Sequence, residues 1–192
     1  GTNNVLLADR DKSLSITSGN LGERFVVVGD VDGDGVDDYA ASDADADTVY
    51  VLLGSNLSSL LASGSTEYAE SVMDLAITGT SGEGFGQGLS SAGDYDWSGD
   101  GYNDLVVGAP GNDDNGTDAG AAYVFSLSTV MGAGSSATSS DAQSYVRGDA
   151  AGDGLGTAVA AMDQSDYDDV AISAPNAATP YVAVFGGDQL SG

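Results

Sequence analysis

The chain repeats itself, and internal repetition narrows its possible folds more than any other feature. Three copies of one pattern are present. The first runs from Ile16 through LGERFVVVGDVDGDGVDDYAAS to TVYVLLG. The second runs from Ile77 through GEGFGQGLSSAGDYDWSGDGYNDLVVGAPG to AAYVFS, and the third from Val146 through GDGLGTAVAAMDQSDYDDVAISAPN to YVAVFGG. The aspartates that close the acidic turn, Asp38, Asp104 and Asp169, stand 66 and 65 residues apart, which sets the period.

Each copy holds a Gly-rich lead-in, a short apolar segment, an Asp-rich turn, a second apolar segment, a polar turn and a third apolar segment. The segments are Phe25–Val28, Tyr39–Ala41 and Val49–Leu53 in the first copy. They are Leu89–Ala92, Leu105–Val107 and Ala121–Phe125 in the second, and Thr157–Ala161, Val170–Ser173 and Tyr181–Phe185 in the third. Runs this short, rich in Val, Tyr and Phe and bounded by Gly, Asp and Asn, predict strands. Asp74–Thr78 and Ser144–Arg147 supply a fourth strand each, and Leu14–Thr17 is their equivalent ahead of the first copy. Four strands per repeat predict an all-β chain of three propeller-type blades, each a four-stranded antiparallel meander, rather than a sandwich. The expectation is one repeat domain over 1–192, with blades at about 14–70, 71–142 and 143–192. The connections SNLSSLLASGSTEYAES and SLSTVMGAGSSATSSDAQS read as low-complexity loops, with a helical turn at Leu57–Leu61.

Composition restricts the chemistry. The chain carries 4 Lys+Arg against 30 Asp+Glu, a formal net charge of −26, and neither His nor Cys. Nucleic acid is excluded as a partner because duplex binding needs a basic footprint, and an anionic membrane repels the chain. Without His or Cys there is no Ser-His-Asp triad, no Cys-His dyad, no ordinary zinc site and no thiol redox chemistry. Oxygen chemistry remains. Of the acids 26 are Asp and 4 are Glu, a bias toward turns and hard-cation ligation. No run approaches 18 apolar residues, so no membrane insertion is expected, and GTNNVLLADR lacks the character of a signal peptide, so the chain reads as mature or excised.

In the second copy GFGQG is followed by DWSGDGYNDLVVGAP. This resembles the FG-GAP repeat of integrin alpha-subunit propellers and related extracellular proteins. The first copy keeps the acidic turn but has Ala41-Ser42-Asp43 in place of Gly-Ala-Pro, and the third keeps Ala174-Pro175 with a degenerate turn. The resemblance implies a β-propeller with calcium in its turns, an extracellular or cell-surface location, and a role in adhesion and assembly.

In DVDGDGVDD, Asp30, Asp32, Asp34 and Asp38 fall at positions 1, 3, 5 and 9, so their side chains can converge with the Val36 carbonyl at position 7 on one Ca²⁺. Gly33 and Gly35 permit the sharp bend. In the second copy Asp96, Ser98, Asp100 and Asp104, with the Tyr102 carbonyl, fall at the same offsets, and Ser98 makes that site the weaker. A weaker third candidate consists of Asp163, Ser165 and Asp169. An EF-hand is excluded because position 12 is Ala41 or Val107 instead of Glu. Two carboxylates about 4 Å apart repel by roughly 4 kcal/mol at an effective dielectric near 20, so a turn that gathers several favours a cation.

Asp43, Asp45 and Asp47, with Asp113, Asp114 and Asp118, read as solvated turns rather than additional cation sites. Arg147-Gly148-Asp149 spells an integrin ligand but occupies a turn register, so it reads as coincidence. Asn56 and Asn115 begin glycosylation sequons. Phe25, Phe85 and Leu155 are expected to pack neighbouring blades together, and Trp97 to cover the second turn or meet a partner. Three blades cannot close a ring, so Leu14–Thr17 is expected to complete the third blade of another copy, giving a closed dimer or a fibre. Other extracellular proteins or glycans are possible partners. The alternatives are a fragment of a larger adhesion propeller and, third, a polysaccharide-active enzyme, for which no catalytic residue stands out.

Overall fold

The structure, a computed structural model, describes residues 14–15, 19–56, 67–68, 73–94, 101–163 and 168–186. Its strands are β1 (Leu14–Ser15), β2 (Phe25–Gly29), β3 (Asp38–Asp43), β4 (Thr48–Leu52), β5 (Glu67–Tyr68) and β6 (Leu75–Thr78) in the first third of the chain. β7 (Gly88–Ser91), β8 (Asp104–Ala109) and β9 (Ala121–Ser126) follow, then the helix α1 (Leu127–Ala133), β10 (Ser136–Thr138) and β11 (Ser144–Arg147). β12 (Val159–Asp163), β13 (Asp168–Ala174) and β14 (Tyr181–Phe185) complete the set.

These strands form three main sheets, in the orders β10-β6-β4-β3-β2, β11-β9-β8-β7 and β12-β13-β14. Neighbours pair antiparallel except β10, which joins β6 in parallel. The described residues do not close a ring. β2, β7 and β12 lie side by side, so the sheets fan out from a shared inner edge. Of the twelve segments read as strands, the eleven after Leu14–Thr17 all coincide with strands, because short apolar runs that alternate two faces form them.

The second sheet is apolar on both faces, as expected for strands that are covered on both sides. Pairing of Leu89 with Val107 and Val107 with Tyr123 sets one face of the second sheet against the first, where Val28, Val51, Leu75 and Ile77 meet Leu105 and Phe125. The opposite face carries Val106, Ala122 and Val124 against Val170 and Ile172 of the third sheet. Phe85 sits fully buried at the first seam, 5.7 Å from the Tyr123 ring and 6.1 Å from the Phe125 ring, and Leu155 holds the corresponding place at the second. Burying each such side chain stabilises the fold by about 1.5–3 kcal/mol.

The structure corrects several expectations. Phe25 does not pack sheets together: it is 62% exposed and stacks on Tyr39. The residue equivalent to Phe85 and Leu155 is Leu21. Gly22 N–H donates to the Ser42 carbonyl just as Gly86 and Gly156 donate to those of Gly108 and Ser173, so the residue before each glycine is the matching one. The four-stranded antiparallel meander holds for the second sheet only; the first has five strands and the third has three among the described residues. The segment read as a low-complexity loop contains α1 and β10. Leu127 and Val130, three residues apart, bury one face of α1 in the first core, and Gly134 (φ 153°) ends it. β1 lies parallel to β5 within the chain, and Ile16 and Thr17 lie outside the described residues, as does the helical turn expected at Leu57–Leu61. Apart from β10, the sheets span Phe25–Thr78, Gly88–Arg147 and Val159–Phe185, so β6 and β11 each join the strands before them in the chain.

Asp43 and Asp47 are buried rather than solvated. Asp47, at φ 50°, accepts the N–H of Gly82 at 2.6 Å and that of Phe85 at 3.0 Å, clasping the first sheet to the turn that opens the second. At the next seam the longer connection supplies main-chain carbonyls instead: Gly152 N–H donates to Thr117, Gly154 to Asp118 and Leu155 to Ala119. Asp45, Asp113, Asp114 and Asp118 are exposed.

Candidate metal centre

The turn between β2 and β3 is built by its own carboxylates. Asp30 Oδ1 accepts the N–H groups of Gly33 (2.8 Å) and Asp34 (3.1 Å), and Oδ2 accepts that of Gly35 (2.8 Å). Asp32 Oδ1 accepts Asp34 N–H at 3.0 Å, and Asp34 Oδ1 accepts Val36 N–H at 2.8 Å. Asp38, fully buried, accepts Val31 N–H on Oδ2 (2.8 Å) and Gly54 N–H on Oδ1 (2.7 Å). Gly33 (φ 81°) and Gly35 (φ 87°) take conformations that other residues avoid, and a side chain at Gly33 would also meet the Tyr102 hydroxyl.

Asp30, Asp32 and Asp38 each direct one oxygen to a common point, all three within 4.8 Å of one another. Oxygens bound to one Ca²⁺ at about 2.4 Å can be at most about 4.8 Å apart, so the set fits a hard cation. Asp34 lies outside that trio, its Oδ1 turned onto the loop backbone. The N–H of Gly35, ahead of the other backbone donors, holds the Asp30 carboxyl below its ordinary value of 3.8. Burial, reinforced by Asp32 and Asp34 and opposed by the Gly54 and Val31 N–H groups, lifts that of Asp38 above it. A buried carboxylate facing further negative charge is the environment that a divalent ion relieves.

The second turn lies beside the first, with Tyr102 over Gly33 and Asn103 over Gly29. Tyr102 and Asp104 are in place, Asp104 buried at the start of β8; Asp96, Ser98 and Asp100, with Trp97, lie outside the described residues. Strand register adds a residue that spacing missed. Ala92 N–H donates to Asp104 and Asp104 N–H to Gly93, so Gly93 answers to Gly29 and Asp94 to Asp30. Gly101 N–H donates to Asp94 Oδ2 at 3.1 Å, as Gly35 does to Asp30. Asp94 Oδ1 is shielded from solvent with no hydrogen-bond partner among the described residues. The Gly-Asp dipeptide that opens both turns was the available signal; counting back from Asp104 hid it because this turn is two residues longer. In the third turn β12 and β13 continue to Asp163 and Asp168, which pair, with Asp169 on β13 and Ser165 outside the described residues.

A cleft of about 300 Å³ beside the first seam contains Glu83, Asn112, Asp114, Tyr123, Tyr145 and Arg147. Asp114 pairs with Arg147 at 3.0 Å, and Asn112 donates to Glu83 Oε1 at 2.9 Å and to the Tyr123 hydroxyl at 3.2 Å. Burial, with Glu83 and Asp114 adding to it, pushes the Tyr123 phenol up to about 12. Arg147 also lies 4.4 Å over the Tyr145 ring, so the arginine of the Arg-Gly-Asp sequence is held by the chain's own residues. The sequon amides are similarly engaged, Asn56 with Asp74 and Asn115 with the Gly148 carbonyl.

Fold and turns together define a β-rich repeat module with acidic hairpin turns. A family model described as FG-GAP repeat matches residues 85–125, from Phe85 at the first seam to Phe125 in β9, so the chain contains an FG-GAP repeat. No curated protein matches the chain. Among the described residues no helix is long and apolar enough to cross a membrane.

Proposed function

We propose that this chain is a calcium-binding, non-catalytic structural module of the cell exterior whose three sheets are propeller-type blades and which associates with copies of itself. The convergence of Asp30, Asp32 and Asp38 carries this reading. Calcium is held in the first turn by these residues, with Asp34 and the Val36 carbonyl as the remaining donors. In the second turn Asp94 and Asp104 join Asp96, Ser98, Asp100 and the Tyr102 carbonyl. The ion supplies positive charge that lets buried carboxylates stay ionised and ties β2 to β3 and β7 to β8. The FG-GAP repeat at 85–125 supports the extracellular setting, where weak sites of about 10⁻⁴–10⁻³ M are filled.

One route to self-association is strand exchange, in which Leu14–Thr17 of one copy leaves β5 and joins the edge of β14 in another, an edge left open among the described residues. The reading of the chain as part of a larger adhesion propeller draws on the same open edge, with further sheets replacing the second copy. Isothermal calorimetry tests the central claim. The chain takes up calcium with millimolar or tighter affinity, and Asp30→Asn with Asp38→Asn removes one site; heat changes identical in wild type and variant refute the proposal.

A further inference from the structure

The chain's two open sheet faces carry the two halves of a seam that it already makes twice internally. In each sheet one face, here the leading face, points toward the preceding sheet, and the other, the trailing face, toward the next. At the first seam Leu89, Leu105 and Phe125 form the leading face of the second sheet. At the second seam Val106, Ala122 and Val124 form its trailing face. Strand register carries both sets to the sheets at the ends.

Phe25 pairs with Ala41 and Ala41 with Tyr50, as Leu89 pairs with Val107 and Val107 with Tyr123. The first sheet's leading face therefore repeats the second's along this row, aromatic or aliphatic at each of the three places, yet Phe25 is 62% exposed where Leu89 is 6%; Val27, 51% exposed, adds an apolar side chain where the second sheet has Ser91. Ala160 pairs with Ala171 and Ala171 with Val184, as Ser90 pairs with Val106 and Val106 with Val124. The third sheet's trailing face is thus small near the inner edge and Val further out, like the second's. Val182 and Val184 are 62% and 52% exposed where their counterparts Ala122 and Val124 are 1% and 2%. A third sign is the wedge residue. Phe85 and Leu155 insert against the sheet before them with their N–H groups bonded to Asp47 and Ala119, whereas among the described residues no sheet precedes Leu21, in the same register.

We propose that the trailing face of the third sheet (Ala171, Val182, Val184) seats the leading face of the first sheet (Leu21, Phe25, Val27) of a second copy, head to tail. This deepens the reading of the chain as a self-associating module and rests on it, but the contact is made by stacked faces and needs no exchanged strand. A head-to-tail contact closes into a two-copy ring if the rotation at this seam repeats the internal ones, and otherwise extends as a filament. Each chain carries −26, so association tightens with salt and with calcium as repulsion is screened.

Sedimentation of the 192-residue chain in calcium tests this with two variants that alter exposed side chains only. Val182→Asp with Val184→Asp spoils one face, and Phe25→Asp with Val27→Asp spoils the other. Each variant alone is expected to be monomeric, its association weakened by at least about a hundredfold. An equimolar mixture forms a one-to-one dimer, because each partner keeps the face the other lacks. Deleting residues 1–18 leaves the wild-type association intact. The inference is overturned by a monomeric wild type, by variants that associate as wild type does, or by a mixture that stays monomeric. Loss of association on the deletion overturns it in favour of strand exchange. Calorimetry on the same samples separates the claims: calcium uptake without assembly sinks this inference and the self-association it rests on but leaves calcium binding standing, and absent uptake sinks the calcium-binding reading.

Discussion

The first and second copies solve two problems in opposite ways. In the first, carboxylates do both jobs: Asp30, Asp32 and Asp38 gather at the turn, and Asp47 clasps the next sheet. In the second, the turn is two residues longer, and main-chain carbonyls of 117–119 make the clasp. The lesson is that one backbone register tolerates a change of chemistry wherever the same N–H groups still find an oxygen.

Removing calcium tests that comparison most severely. At a calcium concentration a hundred times the dissociation constant each occupied site adds about 2.7 kcal/mol, so emptying both by chelation lowers the melting temperature by about 10–20 °C. Asp30→Asn is expected to abolish the contribution of the first turn and Asp94→Asn that of the second, each halving the calcium-induced shift in a thermal melt. A melt of Asp94→Asn that matches wild type with and without calcium would break the register equivalence of Asp30 and Asp94.

The clasps come next in size. Asp47→Asn replaces an acceptor oxygen by an amide facing an N–H donor and costs about 1–2 kcal/mol in urea unfolding. Asp118→Asn, whose carbonyl serves rather than its side chain, stays within about 0.5 kcal/mol. Equal costs would show that the second copy also depends on a carboxylate there.

The smallest effect is the response to pH within the first turn. In chelator, Asp38, raised by burial, contributes stability that is fully present below pH 3.8 and is lost as pH rises through its higher folded value. Asp30, lowered by Gly35 N–H, contributes stability that is present above pH 3.8 and is lost as pH falls through its lower folded value. The metal-free turn therefore favours the window between the two values, and calcium moves the optimum upward because it needs both groups ionised. Melts of wild type and Asp38→Asn across that range check the sign: the variant flattens the upper limb only.

Much of this was legible residue by residue. The strand positions followed from runs such as FVVV and TVYVL stopped by Gly and Asp, and Asp30, Asp32 and Asp38 from their spacing around Gly33 and Gly35, because these signals act over a few neighbours. The reading went astray where the answer lay in another strand. Phe25 resembles Phe85 in letters, but Leu21 matches it in register; and Asp94, hydrogen-bonded as Asp30 is, escaped a count back from Asp104. Leu127 and Val130 in α1 carried a helical period that the surrounding Ser and Gly obscured. β10 was not legible at all, since its parallel partner β6 lies about sixty residues earlier.

By itself the amino-acid order determined a thrice-repeated meander of short apolar strands with carboxylates crowded into its turns, because backbone preference and side-chain alternation are local. Only the tertiary structure decided which carboxylates meet, which one clasps a neighbouring sheet and which apolar faces are left without a cover. Those depend on how strands far apart in the chain align, and a shift of a single residue in that alignment sends every side chain to the opposite face.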